Sequence, residues 1–383
     1  MKTDNRPLSI TVVHDKKDLE EFIGMTRGLY AGDPNFVQPL TFERLEHLDP
    51  KKNPALRHME TAYWTVRRGR EIVGRISCQI NALHIERHKD ATAHFGFFEA
   101  TDDPEVIELL LDTAEIWARE RGMKRLQGPF TLSINEESGL LHEGFDTPPY
   151  MMMPHGKPYY SARLEELGYR KAKDLLAFHF DVTVPWPKNA GRLLERTRSM
   201  RGLHVRPLDF KRYDEEIALI CDIFNDAWAD NWNFIPFDEE AARHMGRAIR
   251  PLVNPNCFSI AEFDGRPVAM AVTLPDINSA IADLDGRLFP FGFAKLLWRL
   301  KVQGLKRWRV PLVGIRKEVQ GSLKGAAAVL GVIDAIRTYH MGKGVTEGEL
   351  SWLLEDNLPI IDVVTTVGGT PYKTYRVFER DIV

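Results

Sequence analysis

Residues Val310 to Leu330 read VPLVGIRKEVQGSLKGAAAVL, and their order decides how the rest of the chain is understood. Val310 to Ile315 is an apolar run with β-branched side chains, the composition of a buried strand. Gln320-Gly321-Ser322-Leu323-Lys324-Gly325 is small and flexible and reads as a turn. From Ala326 to Tyr339, Ala, Leu and Ile dominate, which predicts a helix. A strand, a glycine-bearing turn and a helix start in succession leave backbone N–H groups pointing outward without intrahelical partners. Those donors and the helix dipole favour an anion, phosphate above all. The same glycines also suit a plain turn, so this stretch alone leaves both readings open.

Working outward, 383 residues favour two domains over one. Hydrophobic residues at 44% and charged residues at 27% describe a globular chain, and a formal net charge of -3 gives no overall pull toward nucleic acid, DNA included, or membrane. Cys78, Cys221 and Cys257 are isolated, with no CxxC and no histidine at ligand spacing, so neither a disulfide framework nor a metal site is expected. The first residues lack an apolar signal-peptide core, and no run is long and uncharged enough to span a bilayer. These features predict a reducing, cytoplasmic location.

The first half opens with a strand at Ile10–Val13 and a helix from Lys17 to Leu29 that Asp15 can cap. A hairpin turns at Arg68-Gly69-Arg70, a strand covers His94–Glu99, and Asp103-Pro104-Glu105 starts a helix ending before Gly122. Lys124–Phe130 is a strand, and Leu132 to Met153 is a long loop. In that loop Asn135 and Asp146 either tie the loop to itself or contact a substrate. A short helix at Tyr159–Leu167, closed by Gly168, and a strand at Leu175–Val182 finish this half. Val184-Pro185-Trp186-Pro187-Lys188-Asn189 is the linker, followed by a basic helix at Leu193–Arg201. The second half has a strand at Leu203–Arg206, a helix at Tyr213–Trp228, and a hairpin about Asp264-Gly265.

Both halves run strand, helix, hairpin, strand, helix, strand, helix, strand. Arg163–Gly168 answers Val363–Gly368, each a helix end closing on glycine, and Lys173 and Phe178 follow Gly168 as Lys373 and Phe378 follow Gly368. Asn135 follows the late strand of the first half as Asn357 follows that of the second. In this repeat the chain resembles a tandem protein of the GNAT (N-acetyltransferase) superfamily. The implied fold class is α+β (α/β): two tandem GNAT-like units, each a mixed, mostly antiparallel sheet flanked by helices. Residues 1–183 form the first domain, 184–201 the linker and connecting helix, and 202–383 the second domain.

The stretch after Ile315 resembles the superfamily's acyl-CoA pyrophosphate loop, Q/R-x-x-G-x-G/A, with Gln320 and Gly325 at its first and last positions and Leu323 in place of the middle glycine. The resemblance implies acyl-CoA as donor substrate, held by Gln320, Gly321, Ser322, Leu323, Lys324, Gly325 and Ala326. It implies that backbone N–H groups at Val313, Gly314 and Ile315 stabilise the oxyanion. Ala100 to Glu105 lacks any glycine loop, so the first copy is expected to have lost its donor site.

Acyl transfer to an amine needs a rigidly held thioester, oxyanion donors, a base for the amine and a proton for the leaving thiolate. Glu349 is the base candidate, an acid in an apolar strand expected to be half-buried with a raised pKa; the other reading is a salt bridge to a strand neighbour. Asn357 resembles the family's asparagine after the fifth strand. The family's usual tyrosine acid falls at Val364, so Tyr375, Tyr372 or a water would replace it. Trp228, Asn231, Trp232 and Phe234, with Asp276 and Asn278, are the candidate acceptor wall, aromatic with few polar anchors.

Arg287 to Lys324 is basic, with Glu318 the single acid. Phe293, Leu296, Leu297, Leu300 and Trp308 fall on one predicted helical face, with Lys295, Arg299 and Lys306 opposite. Residues 288–308 therefore read either as a membrane-surface helix or as a core helix with a solvated basic face. The NW-x-F-x-P motif at Asn231–Pro236 and E-x-SW-x-LEDN at Glu349–Asn357 are similar to a bacterial ceramide-synthase-like group. That resemblance implies transfer from acyl-CoA to a primary amine, a long-chain sphingoid base, while the amphipathic segment, with no secretion signal, points to a lipid-like substrate at the inner face of the membrane. Aminoacyl transfer from tRNA and non-catalytic acyl-CoA or lipid binding are the alternatives.

Overall fold

The computed structural model describes residues 6–382. The first half carries β1 (Leu8–Val12), α1 (Lys16–Gly24), β2 (Met59–Arg68), β3 (Glu71–Asn81), β4 (Thr92–Ala100), α2 (Pro104–Arg119), β5 (Arg125–Gly128), β6 (Leu140–Glu143), α3 (Tyr160–Glu166) and β7 (Arg170–Asp181). The second half carries α4 (Lys188–Arg198), β8 (Leu203–Arg206), α5 (Tyr213–Ala227), α6 (Glu239–Ile249), β9 (Phe258–Phe263), β10 (Arg266–Pro275), α7 (Gly292–Trp298), β11 (Arg307–Ile315), α8 (Leu323–Gly342), β12 (Glu347–Leu354), α9 (Leu358–Thr366) and β13 (Thr370–Asp381).

The chain divides into two compact units, one of residues 1–175, 281–293 and 373–383, the other of 176–280 and 294–372. In the first, β1 to β4 pair antiparallel in sequence order, β4 and β5 pair parallel, and the end of β13 pairs antiparallel with β5 and β6. In the second, β8 to β11 pair antiparallel in sequence order and β11 and β12 pair parallel. Each unit is thus the mixed, mostly antiparallel sheet expected. Local chemistry explains the elements. Asp103 caps α2 with Pro104 in its first turn, and Asp264 and Gly265 turn the β9–β10 hairpin, both at positive φ. In the first unit Val106, Ile107, Leu110, Leu111 and Ala114 of α2 pack on Trp64, Val66, Ile76 and Phe95. In the second, Ala328, Val332 and Ile336 of α8 pack on Ala261, Val268, Ala269 and Ala271, where short side chains let helix and sheet approach closely. Leu194 of α4, from the expected linker region, packs with Leu330 and Val367 in the second unit.

Helix does not continue through 288–308: α7 passes into a π-turn at Arg299–Gln303 and stops at Gly304, whose φ of 75° suits glycine. Trp308 lies in β11, its ring 4.1 Å from that of His340, and so shares no helical face with Phe293. Phe289, Phe291 and Val302 are 83%, 79% and 71% exposed, and Phe293, Leu297 and Trp298 are exposed as well. Among the described residues no helix is long and apolar enough to cross a membrane.

Candidate active site

In the second unit β11 and β12 part company. Their parallel pairing runs from Arg307↔Glu347 to Val310↔Leu350 and ends there, while β10 follows β11 on to Ile315. Pro311 comes next in β11 and has no N–H to offer a neighbour. At the same place β11 gains one residue over β10, since Leu274 faces Arg309 but Val272 faces Leu312, a β-bulge. The Arg316 N–H donates to the Val268 carbonyl, which sets the phase of the ladder beyond the bulge. By that alternation the amides of Val313 and Ile315 point away from β10, into the gap that β12 leaves. Gly314 keeps the facing surface low: a Cβ there would meet the Met270 methyl at 2.9 Å and Ala227 of α5 at 3.5 Å.

The loop leading to α8 is tied down from below and open above. The Asp226 carboxylate accepts from the Lys317 amide at 2.8 Å, Asp222 pairs with Arg316, and Asp230 pairs with the Lys317 ammonium. The Gln320 amide donates to the Ile315 carbonyl at 3.0 Å, so this side chain braces the loop against the strand end. Ser322 caps α8 by accepting from the Gly325 amide at 3.1 Å. Gly325 is buried, and a Cβ there would stand 2.2 Å from the Val319 carbonyl oxygen. Gly321, Ser322, Leu323, Lys324 and Ala326 are exposed, and Leu323 is 84% exposed. The amides of Leu323 and Lys324 thus head a 20-residue helix on an open surface, with the Lys324 ammonium 5.3 Å from the Phe263 ring centre. A diphosphate fits that arrangement of donors, dipole and cation.

Glu349 is fully buried on β12, directly opposite Arg309 on β11. It accepts from the Ser351 hydroxyl on one oxygen and the Tyr372 hydroxyl on the other. The Arg309 Nε lies 3.7 Å from the first oxygen and donates to the Ser351 hydroxyl at 2.8 Å, while its Nη2 donates to the Ser351 carbonyl at 2.9 Å. The expected half-buried carboxylate is therefore wholly enclosed, in an ion pair with a strand neighbour. Arg309 and Ser351 were missed; the strand period, which puts 349 and 351 on one face, was the signal for Ser351.

Of the remaining candidates, Trp228 ends α5 with its ring 5.9 Å from Trp352 and 4.7 Å from Phe224. Asn231 and Trp232 are half-buried, whereas Phe234 is buried against Phe224, a core contact. Asp276 is enclosed 3.4 Å from Arg307, and Asn278, in the short helix after it, is half-buried. Asn357 caps the start of α9 without a side-chain bond to it. Val364 is buried with Phe178, Leu350 and Leu353, so the position of the family's usual acid faces the core. Tyr375 is buried in the first unit, opposite Leu141 of β6, and is not a partner of Glu349.

The first unit shows the same construction closed. Its β4–β5 pairing ends at His94↔Gln127, as β11–β12 nearly ends at Arg309↔Glu349, and β4 too carries one extra residue, between Ser77↔Gly96 and Arg75↔Glu99. There the gap is filled. The Phe130 amide donates to the Phe95 carbonyl at 2.8 Å, and Gly96 passes so close that a Cβ would lie 1.9 Å from the Phe130 carbonyl oxygen. Ala100 stands as far past His94 as Ile315 past Arg309; its amide donates to the Tyr160 hydroxyl at 3.0 Å, and its carbonyl accepts from Tyr159 at 2.7 Å. Counted back from Gly368 as those tyrosines are from Gly168, the second copy has Pro359 and Ile360 instead. The first-unit helix start is also hostile to phosphate, since the Asp103 carboxylate caps it and pairs with Arg68 at 2.6 Å.

No protein-family model matches the chain. It is 44% identical to Protein YghO of Escherichia coli over 96% of this chain and 94% of that one, and 43% identical to the bacterial ceramide synthase of Caulobacter vibrioides over 98% of both. Among solved structures it resembles a tandem GNAT protein from the clavulanic acid biosynthesis pathway (13% identity, TM-score 0.57, 98% of this chain and 99% of that one). A GCN5-related N-acetyltransferase from Sphaerobacter thermophilus is similar at 13% identity and TM-score 0.54, over 98% of this chain and 96% of that one. The solved structures show that the chain has the tandem GNAT fold, which the split β11–β12 pair and the capped loop before α8 share, and the two relatives make it a member of the family that holds YghO and the Caulobacter bacterial ceramide synthase.

Proposed function

We propose that the protein moves an acyl group from acyl-CoA to the primary amine of a long-chain sphingoid base, and that the second copy alone holds the donor. The observation that carries this reading is the contrast between the copies: the gap plugged by Phe130, Tyr159 and Tyr160 in the first is unplugged in the second, beside an exposed helix start. The amides of Leu323 and Lys324 take the diphosphate, with Lys324 as counter-charge. The thioester carbonyl lies in the β11–β12 gap, where the Val313 and Ile315 amides meet the oxyanion. Trp228, Asn231 and Trp232 wall the acceptor, and Glu349 is where the proton lost by the amine ends.

The lipid character of the acceptor is supported by the name of the Caulobacter relative and by the exposed aromatic residues between Phe289 and Trp298. With Lys295 among them and Arg299 and Lys301 just after, this segment suits an anionic bilayer, and we place the enzyme at the inner face of the cytoplasmic membrane.

The test is thiol release from palmitoyl-CoA and acetyl-CoA, with and without sphinganine. Cys78, Cys221 and Cys257 are free but buried, so a thiol reagent sees little of the native protein. Sphinganine-dependent release from palmitoyl-CoA, with the amide found by mass spectrometry, is the expected result. Tight binding of palmitoyl-CoA with no release across a panel of amines would overturn the proposal in favour of a binding protein.

A further inference from the structure

Glu349 presents a problem for direct catalysis. A carboxylate with no accessible surface cannot touch an acceptor amine, and two of its partners, Arg309 and Ser351, are buried with it. The third is Tyr372, which is half-buried, lies at the start of β13, and packs its ring 5.8 Å from that of His179 on β7. Its hydroxyl donates to the oxygen of Glu349 that Ser351 does not occupy. Glu349, to which Tyr372 donates, stands one residue before the last parallel contact, Val310↔Leu350, beyond which β11 and β12 part.

We infer that Tyr372 is the group that exchanges the proton with the reacting atoms, and that Glu349 acts through it as a buried proton reservoir. This rests on the N-acyltransferase reading. The acceptor arrives as the neutral amine, its ammonium proton already lost to solvent. Its nitrogen attacks the thioester carbon, and the C–N bond forms. The surplus proton on nitrogen passes to the Tyr372 oxygen as the phenolic proton moves to Glu349. The C–S bond then breaks, and the thiolate sulfur takes a proton from the Tyr372 hydroxyl, which Glu349 replenishes. Amide and free thiol leave, and the side chains return to their starting state. Arg309 and Ser351 are positioning residues: they hold the other carboxylate oxygen, so the oxygen facing Tyr372 is the one left to accept.

The experiment compares wild type, Tyr372→Phe, Glu349→Gln and the double variant, each checked for an unchanged melting temperature. Steady-state kinetics use palmitoyl-CoA and sphinganine. Loss of a relay removes about 100-fold or more of kcat. The expected result is that loss for Tyr372→Phe, with KM for palmitoyl-CoA within threefold of wild type. The double variant should be no slower than the slower single one, because the two groups act as a unit. A Tyr372→Phe enzyme within threefold of wild-type kcat, or single losses that multiply in the double variant, would overturn the relay. A second readout does not depend on turnover. In ring-13C-tyrosine NMR the Tyr372 signal, identified by its absence from Tyr372→Phe, must move in Glu349→Gln. Wild type that releases no thiol with any amine counts against the N-acyltransferase reading. A Tyr372 signal unmoved in Glu349→Gln counts against the pair itself, whatever the turnover.

Discussion

Replacing Gly325 by alanine tests how acyl-CoA is gripped. The new methyl would sit 2.2 Å from the Val319 carbonyl oxygen and 2.7 Å from Cδ1 of Ile315. Ordinary contact requires about 3.5 Å, so the loop carrying Val319 has to retreat by about 1 Å. Overpacking of this kind costs about 1–3 kcal/mol. Removing a glycine from the helix returns about 0.5–1 kcal/mol, which leaves a net cost near 1–2 kcal/mol. Val319 belongs to the same short loop as Gln320 and Ser322, so the displacement carries the Leu323 and Lys324 amides with it. The expected outcome is a Kd for palmitoyl-CoA about 5- to 30-fold weaker by isothermal titration calorimetry, with the fold intact by circular dichroism. Gly314→Ala is the control: its one close contact is the mobile end of Met270 at 2.9 Å, which can swing aside, with Ala227 at an ordinary 3.5 Å, and its Kd should stay within about threefold. A Gly325→Ala protein that binds palmitoyl-CoA as wild type does, with an unchanged melting temperature, would refute the role given to this glycine.

In the first unit, Gly96→Ala meets the Phe130 carbonyl oxygen at 1.9 Å and cannot be absorbed by a side chain; a loss of about 3 kcal/mol or more is expected in urea unfolding, and a wild-type curve would contradict the plug. Burial holds the His340 imidazole down at about 4, against 6.5 for the ordinary group. Below pH 6.5 the unfolded chain binds a proton that the native one refuses, so stability falls by about 1.4 kcal/mol per pH unit until about pH 4. His94 and His84 are lowered by burial as well, so wild type loses stability in acid at more than one site. His340→Gln should therefore lose about 2–3 kcal/mol less than wild type between pH 7 and 4.5, and equal losses would count against it. Replacing Phe289, Phe291 and Trp298 by serine should cut binding to phosphatidylglycerol vesicles at least about tenfold, measured by co-sedimentation, and unchanged binding would remove the membrane reading.

Local signals carried the fold well. Asp264-Gly265 marked a hairpin, Asp103-Pro104 a helix start, and Gly168 and Gly368 the ends of equivalent helices, because in each case the residue type meets a backbone requirement within a few positions. Where periodicity was extended without regard to such punctuation it failed: the apolar spacing from Phe293 to Trp308 ignored Gly304, the residue that ends the helix. Helix α6, Glu239–Ile249, went unassigned in the sequence although Asp238 caps it. The site was legible only in part. An acid between Gly348 and Leu350 announced a half-buried carboxylate, which the fold encloses wholly; beside Ser351 of its own strand, its partners come from other strands, Arg309 across a parallel pair and Tyr372 from β13. Parallel register is set by a crossover helix and leaves no mark in the nearby sequence.

The comparison of the two copies explains why a duplicated unit keeps one working gap. A β-bulge and a terminated parallel pair leave backbone groups of the fourth strand without a neighbour, and buried unpaired groups of that kind cost about 1–3 kcal/mol each. A copy that binds nothing has to satisfy them from within, and the first unit does so with the Phe130 amide and two tyrosine hydroxyls, one of which also donates to the buried Glu99. Glycine at 96 is the condition for that closure, since any side chain would hold Phe130 away. In the second copy Pro359 and Ile360 bring no hydroxyl to the equivalent place, and the Gln320 side chain donates to the Ile315 carbonyl at the strand end. The amides of Val313 and Ile315 then wait for a ligand's oxygen. On this argument the plug and the active gap are two solutions to one backbone problem, and the residues that distinguish them lie at the start of the helix after the fifth strand as much as in the glycine loop.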